Sequence, residues 1–243
     1  MTQLILALDM PQKSQNLALC ENLAKHNLNN IYLKVGLRSF IRDGIGFIGE
    51  LQQLGFKIFL DLKLYDIPNT MLDSLYEMAK LNIDIITIHA SSGKIAMSEL
   101  AKAVKELKNP PLLFAVTALT SFDEATFSEV YRQKINECVL NLSQMASECG
   151  ISGIVCSPFE SAKVKENFNL LTLTPAIRPI LSDFGGEFDL ELDSTKDDQK
   201  RNSSLTFALK QKSDFLVIGR PIYTHKEPIL LTKHILKKIS EES

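Results

Sequence analysis

The sequence predicts an α/β protein, a (β/α)8 TIM barrel forming a single domain over residues 1–243, and three observations carry that expectation. Eight short apolar runs rich in β-branched residues recur at 4–8, 31–35, 57–60, 83–88, 112–116, 153–156, 170–173 and 215–218. Their spacing of about thirty residues per unit is the cadence of this barrel, and runs that are apolar throughout suit parallel strands covered on both sides. The segments between the runs have helical periodicity. Nearly every run is also followed by a polar or charged residue, and in a barrel those strand ends converge on the face that carries active sites.

The first run, Leu4-Ile5-Leu6-Ala7-Leu8, ends at Asp9, lacks a basic lead-in and is too short for a signal peptide. Leu17, Cys20, Leu23 and Ala24 stripe the helix that follows. The second run delivers Lys34 and Gly36. The third, Ile58-Phe59-Leu60, leads into Asp61-Leu62-Lys63-Leu64-Tyr65-Asp66-Ile67-Pro68-Asn69-Thr70, where charges come in the order acid, base, acid. Strand residues two apart share a face, which puts Asp61 beside Lys63. Pro68 stops the ladder, and Asn69 is the expected cap of a helix with Met71, Leu75, Met78 and Ala79 inward. Asp-x-Lys-x-x-Asp alone arises by chance in roughly one chain in twenty of this size, so its context carries the argument. Charge at the exit of a buried strand is costly unless it is paired or used.

The fourth run ends at His89, read as a hydrogen-bonded histidine at the barrel mouth rather than a general base, and Ser92-Gly93 marks a helix entrance. After the fifth come Thr117 to Thr120, then Ser121-Phe122-Asp123-Glu124 with a capping-box pattern. Ile135, Cys138, Val139, Leu142, Met145 and Ala146 form the next helical stripe, and Ser157 follows the sixth run. The last two strand ends carry Thr174-Pro175-Ala176-Ile177-Arg178-Pro179 and Val217-Ile218-Gly219-Arg220-Pro221, at the usual phosphate-binding loops of this fold. Glycine lets backbone approach an anion, and a guanidinium grips it in bidentate fashion. The long acidic stretch between Pro179 and Arg201 contains Phe184-Gly185-Gly186 and Asp197-Asp198-Gln199. A loop of this length in a compact domain is expected to be a lid, around 179–201, closing on phosphate with Gln199 in contact.

Composition excludes several classes. A formal net charge of -2 gives no support for nucleic-acid binding, and Lys233, Lys237 and Lys238 read as the solvated face of a terminal helix. Cys20, Cys138, Cys149 and Cys156 have neither metal-site spacing nor a nearby histidine pair, and read as small hydrophobes. No apolar run approaches membrane-spanning length, so no membrane partner is expected and the cytoplasm is the expected compartment.

With these residues assembled, the chain resembles the orotidine 5'-phosphate decarboxylase family essentially end to end. The resemblance rests on Ala7-Leu8-Asp9, Leu33-Lys34-Val35-Gly36, Asp61-Leu62-Lys63 through Thr70, Ile88-His89-Ala90, Leu119-Thr120-Ser121, Ile177-Arg178-Pro179, Asp198-Gln199 and Ile218-Gly219-Arg220-Pro221, in that order. The Asp61-to-Thr70 motif is the most specific. The resemblance implies conversion of orotidine 5'-monophosphate to uridine 5'-monophosphate and carbon dioxide, by a homodimeric barrel with no metal or organic cofactor. It implies that Lys63 donates the proton to C6 and that Asp61 sits beside the substrate carboxylate. Lys34, Asp61, Lys63 and Asp66 would form an alternating charge network, with Asp66 and Thr70 supplied by the neighbouring subunit. Asp9 and Lys34 would hold ribose hydroxyls, Thr120 the pyrimidine, and Arg178, Gln199, Gly219 and Arg220 the phosphate. Two departures stand out: Ala176 replaces a usual glycine, and the 179–201 stretch is long for the family. A sugar-phosphate decarboxylase of the same superfamily is the nearest rival, but it requires magnesium and an acid where this chain has Lys34, a cation that repels one. A catalytically silent nucleotide-binding barrel is the rival from another class. It gives no reason to keep four network charges whose burial destabilises.

Overall fold

Strands with two apolar faces need cover on both, and the chain meets that need by closing its sheet. In the computed structural model, which describes residues 2–185 and 199–242, eight parallel strands form one closed barrel in chain order. They are β1 (Gln3–Ala7), β2 (Tyr32–Gly36), β3 (Lys57–Leu64), β4 (Ile85–His89), β5 (Leu112–Val116), β6 (Gly153–Val155), β7 (Leu171–Thr174) and β8 (Phe215–Ile218). Closure comes from β1 against β8, in register from Gln3 with Phe215 to Leu6 with Ile218. The helices outside are α1 (Lys13–Lys25), α2 (Leu37–Gln53), α3 (Pro68–Ala79), α4 (Gly93–Glu106), α5 (Glu124–Tyr131) and α6 (Ile135–Glu148). They continue with α7 (Pro158–Phe168), α8 (Leu205–Lys210), α9 (Arg220–Tyr223) and α10 (Pro228–Glu242). No helix among the described residues is long and apolar enough to cross a membrane.

Alternation along the strands splits the core in two. Leu4, Leu6, Leu33, Ile58, Leu60, Ile86 and Ile88 face outward and pack with the helices. Ile5, Ala7, Tyr32, Phe59, Ile85, Phe114, Val116, Val155, Leu173, Phe215 and Val217 fill the barrel interior. Phe215 is wedged edge-on between Tyr32 and Phe114, at 5.6 and 5.5 Å between ring centres. The barrel is thus plugged at its amino-terminal end, and only the carboxyl-terminal end can open into a cavity.

Gly153 is where that plug is tightest. A Cβ there would fall 2.5 Å from the Leu171 carbonyl oxygen and 2.6 Å from Cε1 of Phe114. Gly153→Ala is therefore expected to lower the unfolding free energy by about 1–3 kcal/mol, as overpacking does. Chemical denaturation measures it, and an unchanged midpoint would show that both the Leu171 backbone and the Phe114 ring can give way.

Two helix entrances differ from expectation. Pro68 occupies the first turn of α3 with Ile67 as the residue before it, so Asn69 lies inside the helix and is not the cap. Proline fits there because the first-turn N–H needs no intrahelical partner. Asp123, not Ser121, caps α5, accepting from Thr126 N at 2.9 Å. Of the cysteines, Cys20, Cys138 and Cys156 are buried and Cys149 is partly exposed at the end of α6.

Candidate active site

The carboxyl-terminal mouth of the barrel opens into a cavity of about 740 Å³. Its floor is apolar, made of Ala7, Phe59, Val116, Val155, Leu173 and Val217, the uppermost interior layer of six strands. Over that floor stands a row of alternating charge. Asp9 follows β1, Lys34 lies on β2, and Asp61 and Lys63 lie on β3. Lys34 Nζ is 3.3 Å from Asp9 Oδ1 and 3.8 Å from Asp61 Oδ2, and Lys63 Nζ donates to Asp61 Oδ1 at 2.8 Å. Gly36 makes room for the row, because a Cβ there would meet Lys34 Nζ at 2.7 Å.

Lys63 reaches this row by a route that strand alternation alone does not describe. Its φ is +52°, a left-handed conformation that costs an ordinary L-residue roughly 1–2 kcal/mol. The pairing of β3 with β4 passes from Leu60 opposite Ile86 to Leu64 opposite Ile88, so the β3 segment carrying Asp61 and Lys63 bulges. Bulges gather beside active sites because they re-aim a side chain. Asp61 is nearly sealed from solvent at 9% exposure. Burial alone would push its carboxyl up, but the Lys34 and Lys63 ammoniums and hydrogen bonds from Lys63 and Thr87 outweigh that and hold it below the ordinary 3.8. Because the folded value lies below the unfolded one, Asp61 stabilises the fold above about pH 4, and this contribution is lost as pH falls through the lowered value. His89 is held below the usual imidazole range by burial and then by Lys63. It stacks on Tyr65 at 5.2 Å and accepts from Ser91 N at 3.3 Å.

The loops after β7 and β8 form a cationic wall of the same cavity. Arg178, Gln199, Gly219 and Arg220 line it, and Thr120 also lines the cavity. Arg178 donates to Gln199 Oε1 at 3.2 Å. Ala176 takes φ +67° while 2% exposed, so the backbone keeps the shape that glycine would adopt. Two further lining groups carried no sequence signal. Arg38, at the start of α2, donates to the Asp9 carbonyl oxygen at 3.2 Å, and Tyr223 closes the wall from α9. Neither belongs to a charge pattern, and Arg38, two residues after β2, falls in the first turn of a helix, where an arginine is ordinarily solvated.

Asp66 and Thr70 are placed elsewhere. Both are exposed and neither lines this cavity. Asp66 Oδ1 accepts from Ile67 N at 2.7 Å, and Thr70 lines a separate apolar hollow with Phe40, Ile45 and Leu62. Tyr65 and Ile67, which flank Asp66, and Ile45, which lines the hollow with Thr70, are exposed large apolar side chains, as are Leu37 and Ile41 on α2.

The lid expected at 179–201 falls largely on residues 186–198, outside the described residues, and Asp198 with it. Its two ends are pinned. Asp183 accepts from Ile180 N at 2.7 Å, Leu205 N at 3.2 Å and Thr206 N at 3.0 Å. On the other side Lys200 N and Arg201 N both donate to the Thr120 carbonyl oxygen, and the Arg201 guanidinium pairs with buried Glu160.

Residues 2–234 match the family model described as orotidine 5'-phosphate decarboxylase / HUMPS. A Campylobacter jejuni (strain RM1221) protein named orotidine 5'-phosphate decarboxylase is 48% identical, over 99% of this chain and 82% of its own. One of the same name from Campylobacter fetus subsp. fetus is 45% identical over 98% of this chain and 100% of its own. Among solved structures, orotidine 5'-phosphate decarboxylase from Lactobacillus acidophilus aligns with a TM-score of 0.79 at 31% identity, covering 98% of this chain and 99% of that one. The Methanocaldococcus jannaschii enzyme complexed with inhibitor BMP shares the fold, with a TM-score of 0.73 at 20% identity over 98% and 99% of the two chains.

Proposed function

This chain belongs to the orotidine 5'-phosphate decarboxylase / HUMPS family, and from that premise we infer that it converts orotidine 5'-monophosphate to uridine 5'-monophosphate and carbon dioxide in pyrimidine synthesis. The observation that carries this reading is the Lys63 ammonium, 2.8 Å from Asp61, above an apolar floor and in one cavity with a wall of arginines.

Loss of carbon dioxide from C6 leaves an electron pair in the plane of the pyrimidine, out of reach of the ring's π system. Fixed charge must stabilise it. Lys63 is the group suited to this: its ammonium attracts the developing carbanion and then protonates it. One opposite charge at about 4 Å contributes roughly 4 kcal/mol at an effective dielectric of 20. Enzymes supply about 8–23 kcal/mol, so the remainder comes from binding energy spent elsewhere on the nucleotide. Arg178, Gln199, Gly219 and Arg220 are assigned to the phosphate, with 179–201 as the closing segment. Asp9 and Lys34 are assigned to the ribose, and Thr120 to the pyrimidine. Clamping both ends holds C6 against Lys63 and excludes water. Asp61 is assigned a place beside the substrate carboxylate, and its flanking ammoniums keep it ionised there.

The functional unit is read as a homodimer with shared sites. Exposed Tyr65 and Ile67 beside Asp66, and exposed Ile45 beside Thr70, support this, because they put apolar surface next to the two expected site residues that their own cavity lacks. A second copy seated on that surface would bring Asp66 to the opposite Lys63. Four free cysteines support a reducing compartment, the cytoplasm.

A magnesium-dependent sugar-phosphate reaction is disfavoured by Lys34, whose ammonium occupies the end of β2 at 3.8 Å from Asp61. The deciding experiment is an ultraviolet assay of orotidine 5'-monophosphate consumption with and without a chelator. Equal, saturable turnover in both is expected. No turnover, or turnover that returns only with added magnesium, would overturn the reading.

A further inference from the structure

Strand β4 reads Ile85-Ile86-Thr87-Ile88-His89, and its one hydroxyl has two partners that meet at the charged row. Four residue steps on β3, from Leu60 to Leu64, lie opposite two on β4, from Ile86 to Ile88. Ladder pairing is therefore interrupted where Lys63 stands, and the Lys63 N–H needs another acceptor. Thr87 Oγ1 accepts it at 3.0 Å. The same hydroxyl donates its proton to Asp61 Oδ1 at 2.9 Å, the oxygen that also receives Lys63 Nζ. A hydroxyl has one proton and two lone pairs, so both bonds form at once. Thr87 is completely buried. Valine has the same shape and would suit this aliphatic strand, so packing gives no reason for a hydroxyl here.

We infer that Thr87 is a positioning residue for decarboxylation: its hydroxyl ties the Lys63 backbone to the Asp61 carboxylate and so aims the ammonium across the bulge. The inference rests on the decarboxylase reading above. A left-handed lysine persists only where its surroundings hold it, and Thr87 is the contact that joins both of the groups that must stay in line. Thr87 touches no part of the cavity itself, which is why its effect should fall on turnover and not on nucleotide affinity.

The test compares wild type, Thr87→Val and Thr87→Ser as full-length protein, measuring kcat and KM for orotidine 5'-monophosphate and, by calorimetry, affinity for uridine 5'-monophosphate. Thr87→Val is expected to lower kcat about 10- to 100-fold, the scale of a misplacement near 1 Å, with KM and product affinity within about threefold of wild type. Thr87→Ser, which restores the hydroxyl, should recover most of the loss. A Thr87→Val kcat within twofold of wild type, a loss that serine does not recover, or a change confined to KM would overturn the inference. If Thr87→Val does not fold, Thr87→Ala decides by the same readouts. Wild type without turnover overturns the functional reading instead, so the two failures are distinguishable.

Discussion

Lys63→Ala is expected to remove decarboxylation, with kcat falling by roughly five orders of magnitude or more. The size follows from two losses at one atom. An opposite charge at about 4 Å contributes roughly 4 kcal/mol, near a thousandfold, and a positioned proton donor contributes about 10²–10⁴-fold more. Product affinity should stay within about tenfold of wild type, because the cationic wall of Arg178 and Arg220 comes from the loops after β7 and β8 and is untouched. Single-turnover assays with calorimetric titration of uridine 5'-monophosphate measure both. A variant keeping more than about a hundredth of wild-type kcat would mean that another group protonates C6, since a single proton donor accounts for about 10²–10⁴-fold by itself.

The second large effect concerns Asp66. Asp66→Asn alone should lower kcat about 10²–10³-fold, the scale on which one preorganised polar partner acts. More telling is a mixture of two inactive proteins, Lys63→Ala and Asp66→Asn, unfolded together and refolded. If Asp66 serves the opposite protomer, a mixed dimer has one site lacking both groups and one site with both intact. Random pairing makes about half the dimers mixed, so about a quarter of wild-type activity should return. If Asp66 served its own protomer, both sites of a mixed dimer would stay crippled and nothing would return. The exposure of Asp66 and its absence from its own cavity make the first outcome the expected one.

The barrel was legible because parallel strands covered on both sides must be apolar throughout, and all eight runs became strands. The cadence placed their polar ends on one face, where Asp9, Lys34, Asp61 and Lys63 form a row; the expected network had Asp66 in place of Asp9 and came from the family resemblance, not from spacing. What was hidden has local causes. Alternation placed Lys63 beside Asp61 on a regular strand, whereas a bulge with positive φ does it, and no residue pattern announces a lysine in that conformation. Thr87 is an unremarkable strand residue by composition, so its two bonds appear only once β3 and β4 are side by side. Arg38 was unreadable because it sits in the first turn of a helix, where an arginine is ordinarily a solvated side chain. Asn69 looked like a cap only because the proline before it could equally end a strand or begin a helix.

The clamps on either side of 186–198 set what an insertion between them would cost. With Asp183 binding the start of α8, and Arg201 seated on Glu160, the two roots are held whatever spans them. Doubling the length of such a closed span adds only about 0.6 kcal/mol of entropy. A longer stretch between these roots is therefore expected to cost the barrel little, since the anchoring residues on each side keep Gln199 at the same address.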